Sequence, residues 1–79
     1  MKVRIHYYGR LTEAAGCEEE EVMLNPSSTL TVLESVLTDR YPDFSLIPLI
    51  FFSNSSKCEA NQPLAEGMNI ECMPPFSGG

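Results

Sequence analysis

The sequence predicts an α+β fold, in which one main helix packs on one face of a mixed β-sheet. The first observation is a segment near the middle of the chain with apolar residues at spacings of three, four and four, which is typical of an amphipathic helix. The second is that strand-like segments lie on both sides of it, two before and three after. One helix between two groups of strands can cover only one face of the sheet.

The first two strands are predicted from alternation and from turn residues. Residues 2–8 alternate between an apolar face with Val3, Ile5 and Tyr7 and a second face with Lys2, Arg4, His6 and Tyr8. Residues 9–16 form a loop with one helical turn around residues 12–15. A second strand spans residues 20–24 and ends at a cluster of turn formers. The glutamates at 18–21 are interpreted as a solvated face, with partner steering as the alternative.

The helix is predicted over residues 29–41. Its apolar stripe consists of Leu30, Leu33, Leu37 and Tyr41. Thr29 or Thr31 can cap its start, and Thr31 with Glu34 fits a capping box. Pro42 ends it, because the residue before a proline resists helical geometry.

Three further strands are predicted in the second half of the chain. An apolar run over residues 46–52 precedes a turn-forming segment at 53–56, which indicates a strand at 49–52. A short strand near 57–59, a turn through 63–67 and a last strand at 68–73 complete the order ββαβββ.

These strands carry more apolar residues than one helix can cover. Leu49 and Phe51 share one face of their strand, while Ile50 and Phe52 lie on the other. Tyr8 and Met73 also have outward parity, in the first and last strands. An uncovered apolar face on a small domain usually marks a partner site, so we expect an interface there. The alternative is that loops fold over this face.

Length and charge exclude several classes of function. A chain of 79 residues forms one small domain with little room for both a core and a deep pocket. The net charge of −6 argues against nucleic acid and favours a basic partner groove. The sequence has no apolar run of membrane-spanning length, and we expect neither a membrane segment nor a signal peptide. We therefore expect a cytoplasmic protein.

The cysteines do not suggest a disulfide framework or a metal site. Cys17, Cys58 and Cys72 are odd in number and lack the C-x-x-C spacing, and His6 is the sole histidine. We expect reduced thiols, with Cys72 packing as a small apolar group. The sequence also shows no Ser/His/Asp, Cys/His or paired-carboxylate constellation, so an independent hydrolase or transferase is the weakest candidate.

The last six residues, Pro-Pro-Phe-Ser-Gly-Gly, predict a tail at 74–79 that leaves a domain at 1–73. Two prolines form a stiff exit because each fixes its φ. Gly78 and Gly79 form a slim, flexible tip that can thread a channel too narrow for a β-carbon. At about 3.3 Å per extended residue, the tail reaches ~20 Å. Such a tail suits delivery into the active site of another protein, although frayed termini are common.

Several segments together resemble one family closely, along essentially the whole chain. They are the first strand with its Tyr-Tyr-Gly-Arg-Leu continuation, the helix ending Arg-Tyr-Pro at 40–42, the strand followed by Asn54, the segment Pro-Leu-Ala-Glu-Gly at 63–67 and the Pro-Pro-Phe-Ser-Gly-Gly ending. The family is the small subunit of molybdopterin synthase, the MoaD-like proteins, among the ubiquitin-like sulfur carriers. This resemblance implies a ubiquitin-like β-grasp fold. The chain departs from the family pattern at Met68, where an acidic residue is usual, and at Ser55-Ser56, where a glycine is common.

The resemblance implies a role for the terminal residues. Gly79 would be adenylated by a ubiquitin-activating-like adenylyltransferase that consumes ATP, and then converted to a thiocarboxylate with sulfur from a donor protein. Gly78 and Ser77 would be threading residues. The chain would be a non-catalytic subunit without a bound cofactor in a heterotetrameric synthase. The large subunit would use the sulfur to build the dithiolene of molybdopterin from cyclic pyranopterin monophosphate.

Partner contacts with the large subunit are predicted for Tyr8, Ile50, Phe52, Met73 and Phe76. Other functions remain open from the sequence. The chain could be a related carrier for thiamine synthesis or tRNA thiolation, a ubiquitin-like protein modifier, or an interaction domain with an inert tail.

Overall fold

A computed structural model describes residues 1–75, and within them five strands form a single mixed sheet. The strands are β1 (Lys2–Tyr7), β2 (Glu19–Met23), β3 (Ile50–Ser53), β4 (Ser56–Lys57) and β5 (Asn69–Met73). Their order across the sheet is β2-β1-β5-β3-β4, with β1 and β5 parallel and the other neighbours antiparallel. The main helix α2 (Leu30–Arg40) packs on one face, which confirms the predicted fold class.

The core lies between α2 and the sheet. Leu30, Leu33 and Leu37 of the helix are buried, and so are the predicted inward residues of β1. The remaining buried apolar residues come from the other helices, from the strands other than β4 and from the loops: Leu11, Val22, Leu24, Phe44, Phe51, Cys58, Leu64, Ile70 and Cys72. The strand alternation and the helical stripe of Leu30, Leu33 and Leu37 are therefore confirmed as the pattern that builds the core. Tyr41, predicted as the last member of the stripe, is instead the extended C-cap of α2 and is only half-buried.

The prediction that a threonine caps α2 through its side chain is wrong. Thr29 has the extended backbone of an N-cap but makes no side-chain capping hydrogen bond. The N–H groups of Leu30 and Thr31 instead donate to the carbonyl oxygens of Gln62 and Ala60, at 3.0 and 3.1 Å. The Thr31 hydroxyl also donates to the Ala60 carbonyl, at 2.7 Å. A loop distant in sequence thus satisfies donors that a capping box would otherwise satisfy.

Two short helices accompany the main one. The predicted turn near 12–15 is the helix α1 (Arg10–Ala15), and Pro42 ends α2 as predicted. The chain then continues as a 3₁₀ helix over Pro42–Leu46, which the sequence did not suggest. This helix buries Phe44, whose ring centroid lies 5.6 Å from that of Tyr7 and 5.1 Å from that of Tyr41. Pro42 at its first turn suits a helix start because its missing N–H has no intrahelical partner there.

The sequence of the turn between β3 and β4 suits the backbone conformation of that turn only in part. Asn54 and Ser55 both have positive φ, 52° and 67°, as a two-residue type I′ hairpin turn requires. Asparagine tolerates this conformation well, whereas a serine at the second position is less favourable than glycine. The departure from the family pattern at Ser55 therefore affects this local turn.

The interpretation of residues 18–21 as a fully solvated face is wrong for Glu20. Its carboxylate accepts hydrogen bonds from the Tyr7 and Tyr41 hydroxyls, both at 2.5 Å, and from Arg40 at 2.9 Å. Glu20 has the same parity in β2 as the buried Val22, so it faces the helix side of the sheet. The carboxylate thus joins β1, β2 and the end of α2 through charge-assisted bonds.

Because Tyr7 and Tyr41 donate hydrogen bonds to Glu20, we expect the free energy of unfolding to fall at alkaline pH. Burial, together with the hydrogen bond to Glu20, raises the pKa of Tyr41 to about 12 and raises that of Tyr7 further. Between the usual tyrosine pKa of about 10 and about 12, the unfolded chain loses protons that the folded chain keeps, so the free energy of unfolding declines. Urea unfolding at several pH values across this range measures the decline. The decline should be shallower in Tyr41→Phe than in the wild type, and equal declines in the two proteins would show that Tyr41 does not cause it.

Candidate functional site

The predicted tail leaves from the middle of the sheet. Strand β5 has β1 on one side and β3 on the other, so both neighbours hold its end at Met73 in place. Pro74 and Pro75 follow directly. Phe76, Ser77, Gly78 and Gly79 lie outside the described residues, and their roles remain predictions. The structure therefore describes the base of the tail, where its direction is set.

Gly9 is a second element of this base, which sequence reasoning placed in a loop without a role. It has φ 59° and ψ −139°, a conformation that side chains disfavour. A β-carbon at Gly9 would lie 3.3 Å from Cγ of Pro74, closer than ordinary van der Waals contact. The Tyr8 N–H donates to the Cys72 carbonyl at 3.2 Å, which holds the end of β1 beside the tail. The sequence signal that could have indicated this role is that the glycine directly follows the predicted first strand at residues 2–8.

Four of the predicted partner residues lie together on the sheet face opposite α2. Ile50 pairs directly with Met73, and Phe52 pairs with Glu71 on the same strand. Tyr8 lies beside Met73 and is 43% exposed, while the other three are half-buried. We call Tyr8, Ile50, Phe52 and Met73 the open face. It adjoins Pro74, so a protein bound there would also meet the base of the tail.

The neighbouring part of the same sheet face is charged. Arg4 lies 3.3 Å from Glu19 and 3.2 Å from Glu21, and Nδ1 of His6 lies 3.1 Å from Glu19. Such exposed pairs contribute only about 0–1 kcal/mol each to stability. On this sheet face the ion pairs therefore lie over β1 and β2, and Glu71 of β5 lies between them and the open face. This uneven distribution of charge would help to orient a partner.

The described residues do not suggest chemistry of their own. All three cysteines are free, and Cys72 is fully buried as predicted. Burial raises the pKa of its thiol to about 12, so the thiol stays protonated and unreactive at neutral pH. Within residues 1–75, no group of three or more His, Cys, Asp or Glu residues is arranged to hold a metal ion. No helix in this range is long and apolar enough to cross a membrane.

Comparison with solved structures shows a shared fold. A Pyrococcus furiosus protein, provisionally named as molybdopterin converting factor subunit 1, is 21% identical with a TM-score of 0.90, and the match covers 96% of this chain and 99% of that one. SAMP1 of Haloferax volcanii is 18% identical with a TM-score of 0.84, over 100% of both chains. The small archaeal modifier protein 1 of Methanosarcina acetivorans is 22% identical with a TM-score of 0.79, over 99% and 96%.

Sequence comparison gives the family. No curated protein sequence matches the chain significantly. The model of the ThiS family matches residues 5–79, which is nearly the whole chain. With this match and its ubiquitin-like β-grasp fold, the chain belongs to the ThiS family of ubiquitin-like sulfur carriers.

Proposed function

We propose that the chain is the sulfur-carrying small subunit of a molybdopterin synthase. Gly79 would bear the thiocarboxylate, and the acceptor of its sulfur would be cyclic pyranopterin monophosphate. The observation that supports the proposal is the start of the Pro-Pro-Phe-Ser-Gly-Gly segment in a ThiS-family chain. Its first two residues, Pro74 and Pro75, follow a central strand beside the open face, which no other part of residues 1–75 covers.

The chemistry of a carboxylate explains the need for ATP. A terminal carboxyl group has a pKa of about 3.5, so it is ionised at neutral pH and is a poor electrophile. Adenylation by an activating enzyme creates a mixed anhydride from which AMP can leave when sulfur attacks the acyl carbon. In this proposal the carrier is not the catalyst of this step. Its contribution is to present the carboxylate on residues 77–79, whose small side chains fit a narrow channel.

The open face is the docking surface for the large subunit in this proposal. Burial of apolar surface around Met73 supplies affinity, while the tail beyond Pro75 reaches the partner's active site. Phe76 would act as an aromatic anchor between the prolines and the tip. The same face can serve the activating enzyme at a different time, because both partners need the tail.

We expect Met73→Asp to weaken binding to the large subunit without unfolding the carrier. The new carboxylate would be buried without a partner beside Ile50, at a cost of several kcal/mol in binding. Titration calorimetry measures the affinity, and Phe76→Ala should weaken it as well. Leu46→Asp is the matched control, because Leu46 is an exposed apolar residue outside the open face. If both Met73→Asp and Phe76→Ala bind as tightly as the wild type, the interface lies elsewhere.

We expect Gly9→Ala to slow adenylation as well as reduce stability. Its β-carbon would push Pro74 away and redirect the tail, and misplacement of this kind lowers kcat/KM by about tenfold or more. Gly16→Ala separates the two effects, since Gly16 also has positive φ but nothing within 4 Å of an added β-carbon. Pyrophosphate release by the activating enzyme is the measurement. Equal rates for the two variants would show that Gly9 does not position the tail.

Reconstitution tests the function itself. The carrier is combined with the activating enzyme, ATP, a sulfur donor, the large subunit and cyclic pyranopterin monophosphate, and molybdopterin is measured as its oxidised fluorescent derivative. We expect product only when all components are present. Absence of product, when an authentic small subunit gives product under the same conditions, would contradict the proposal.

A second candidate is a protein modifier joined through Gly79 to lysines of other proteins. The fold shared with the small archaeal modifier proteins favours it. The two candidates differ in the acceptor of the activated tail, which is sulfur in the first and a lysine amine in the second. Conjugates carrying the chain on lysines in cell extract, detected by mass spectrometry, would support the modifier.

A further inference from the structure

Glu71 places a carboxylate beside the apolar side chains of the open face. Its neighbours along β5, Ile70 and Cys72, are fully buried in the core, so strand parity directs Glu71 to the opposite face of the sheet. On that face it pairs directly with Phe52 of β3 and with His6 of β1. The Glu71 side chain is half-buried there, which is uncommon for a carboxylate without a charged partner.

The cationic groups of the same sheet face do not neutralise Glu71. Among residues 1–75, no lysine, arginine or histidine forms an ion pair with its carboxylate. His6 directs Nδ1 to Glu19, at 3.1 Å, and Arg4 likewise pairs with glutamates of β2. Desolvation, followed by the nearby Glu71 carboxylate, raises the pKa of Tyr8, so the Tyr8 hydroxyl is a neutral donor close to Glu71. One hydroxyl leaves most of the acceptor capacity of a carboxylate to water.

Docking on the open face would remove that water. Phe52 lies directly across from Glu71, and Met73 is the next residue of β5 on the same side. A protein that covers Phe52 and Met73 must therefore also cover the carboxylate. A carboxylate that loses its water without gaining a charged partner weakens binding strongly. The partner must accordingly bring a positive charge to this position.

The surroundings of Glu71 favour arginine over lysine as the source of that charge. The aromatic rings of Phe52 and Tyr8 lie on the same face as the carboxylate. A guanidinium group can donate two parallel hydrogen bonds to a carboxylate, can stack on an aromatic ring and is more weakly hydrated than an ammonium group. Arginine is also enriched in protein interfaces, whereas lysine is depleted.

We propose that Glu71 determines which protein docks on the open face, by forming an ion pair with an arginine of the large subunit. The inference rests on the proposed function, because it takes the open face as the surface on which the large subunit docks. The apolar residues supply affinity, and the ion pair supplies specificity. A protein with an apolar group or a carboxylate at the matching point would leave Glu71 covered and uncompensated, so its binding would be disfavoured.

Titration calorimetry of the complete carrier with the large subunit tests the role of Glu71. Glu71→Gln keeps the size of the side chain but removes its charge, and it should raise Kd by about tenfold or more. Glu71→Arg brings like charges together and should raise Kd by about 100-fold or more. Glu34→Gln is the matched control, because it removes the same charge from an exposed position on α2, across the sheet from the open face. It should bind like the wild type, and urea unfolding verifies that each variant is folded.

A double-mutant cycle identifies the arginine of the partner. Each arginine of the large subunit is replaced by alanine, and the affinity of each variant is measured for the wild-type carrier and for Glu71→Gln. We expect one arginine whose replacement raises Kd by about tenfold or more with the wild-type carrier but has little effect with Glu71→Gln. A glutamate at that position of the large subunit should restore binding to Glu71→Arg. A purely structural role of Glu71 would not produce this rescue.

Three results would overturn the inference and leave the proposed function intact. One is wild-type affinity in both Glu71→Gln and Glu71→Arg while Met73→Asp still weakens binding, which would mean docking without the ion pair. Another is tighter binding by Glu71→Leu, which would mean that the partner presents apolar surface at this point. The third is the absence of any arginine coupled to Glu71. If the wild-type carrier does not bind the large subunit at all, the proposed function is itself wrong and the inference is wrong with it.

Discussion

Replacement of Leu33 by alanine is expected to lower the free energy of unfolding by about 2–5 kcal/mol. Leu33 is fully buried in the middle of α2, where it packs against the inner face of the sheet. The substitution removes buried methyl groups and leaves a cavity that a small core cannot fill by relaxation. A domain of this size has about 4–12 kcal/mol of stability in total, so the variant should be partly unfolded at ordinary temperature.

Urea unfolding monitored by circular dichroism gives the magnitude. Leu46→Ala is the matched control because the chemical change is identical and Leu46 is 81% exposed. That variant should differ from the wild type by less than about 0.5 kcal/mol. Similar losses for the two variants would mean that the helical stripe does not form the core, and the assignment of the fold would be wrong.

Deletion of Gly78 and Gly79 is expected to abolish thiocarboxylate formation. The activating enzyme must receive a carboxylate at the end of a slim segment, and the shortened chain would end at Ser77, too short to reach the same position. Stability should be nearly unchanged because the core and every described strand end before these residues. The measurements are adenylation by the activating enzyme and the melting temperature of the truncated protein.

Binding to the large subunit separates loss of chemistry from loss of docking. The truncated protein keeps the open face and Phe76, so its affinity should remain close to that of the full chain. A truncated protein that still supports molybdopterin synthesis would refute the role of the terminal glycines. If it loses binding as well as synthesis, the glycines themselves belong to the docking surface.

The elements that follow from local patterns were predictable. The stripe of Leu30, Leu33 and Leu37 marks the buried face of α2, and parity in β1 separates Ile5 from Tyr8. Both signals depend on residues close together in the chain, which the helical and strand periods bring to one side. The positions of the main elements therefore agree with the sequence interpretation to within one or two residues.

The features that sequence analysis missed depend on contacts between distant segments. Glu20 belongs to a run of four glutamates, and only the approach of Tyr7, Arg40 and Tyr41 makes it a half-buried acceptor. Phe44 is buried because the segment after Pro42 continues as a 3₁₀ helix. Thr31 bonds to Ala60, a residue 29 positions away. No periodicity within one segment carries this information.

In the candidate site, too, local patterns predicted some features, while others depend on contacts between distant segments. Parity predicted that Tyr8, Ile50 and Met73 point away from the helix, and the strand order then places them side by side. The contact between Gly9 and Pro74 requires β1 and β5 to be parallel neighbours, which no local pattern indicates. Side-chain direction was thus predictable, whereas adjacency was not.

The central claim is that the chain carries sulfur on the carboxyl group of Gly79. Intact mass spectrometry of the protein isolated from the cells that produce it tests this claim most directly. We predict a species heavier than the unmodified chain by the difference between sulfur and oxygen, with the added mass located on the terminal glycine. Alkylation should convert this species to a thioester that carries the alkyl group, and hydrolysis of the thioester should restore the unmodified carboxylate and release the sulfur as a thiol. The claim would be contradicted if only the unmodified carboxylate were found in cells that contain the activating enzyme and the sulfur donor but lack the large subunit that consumes the sulfur.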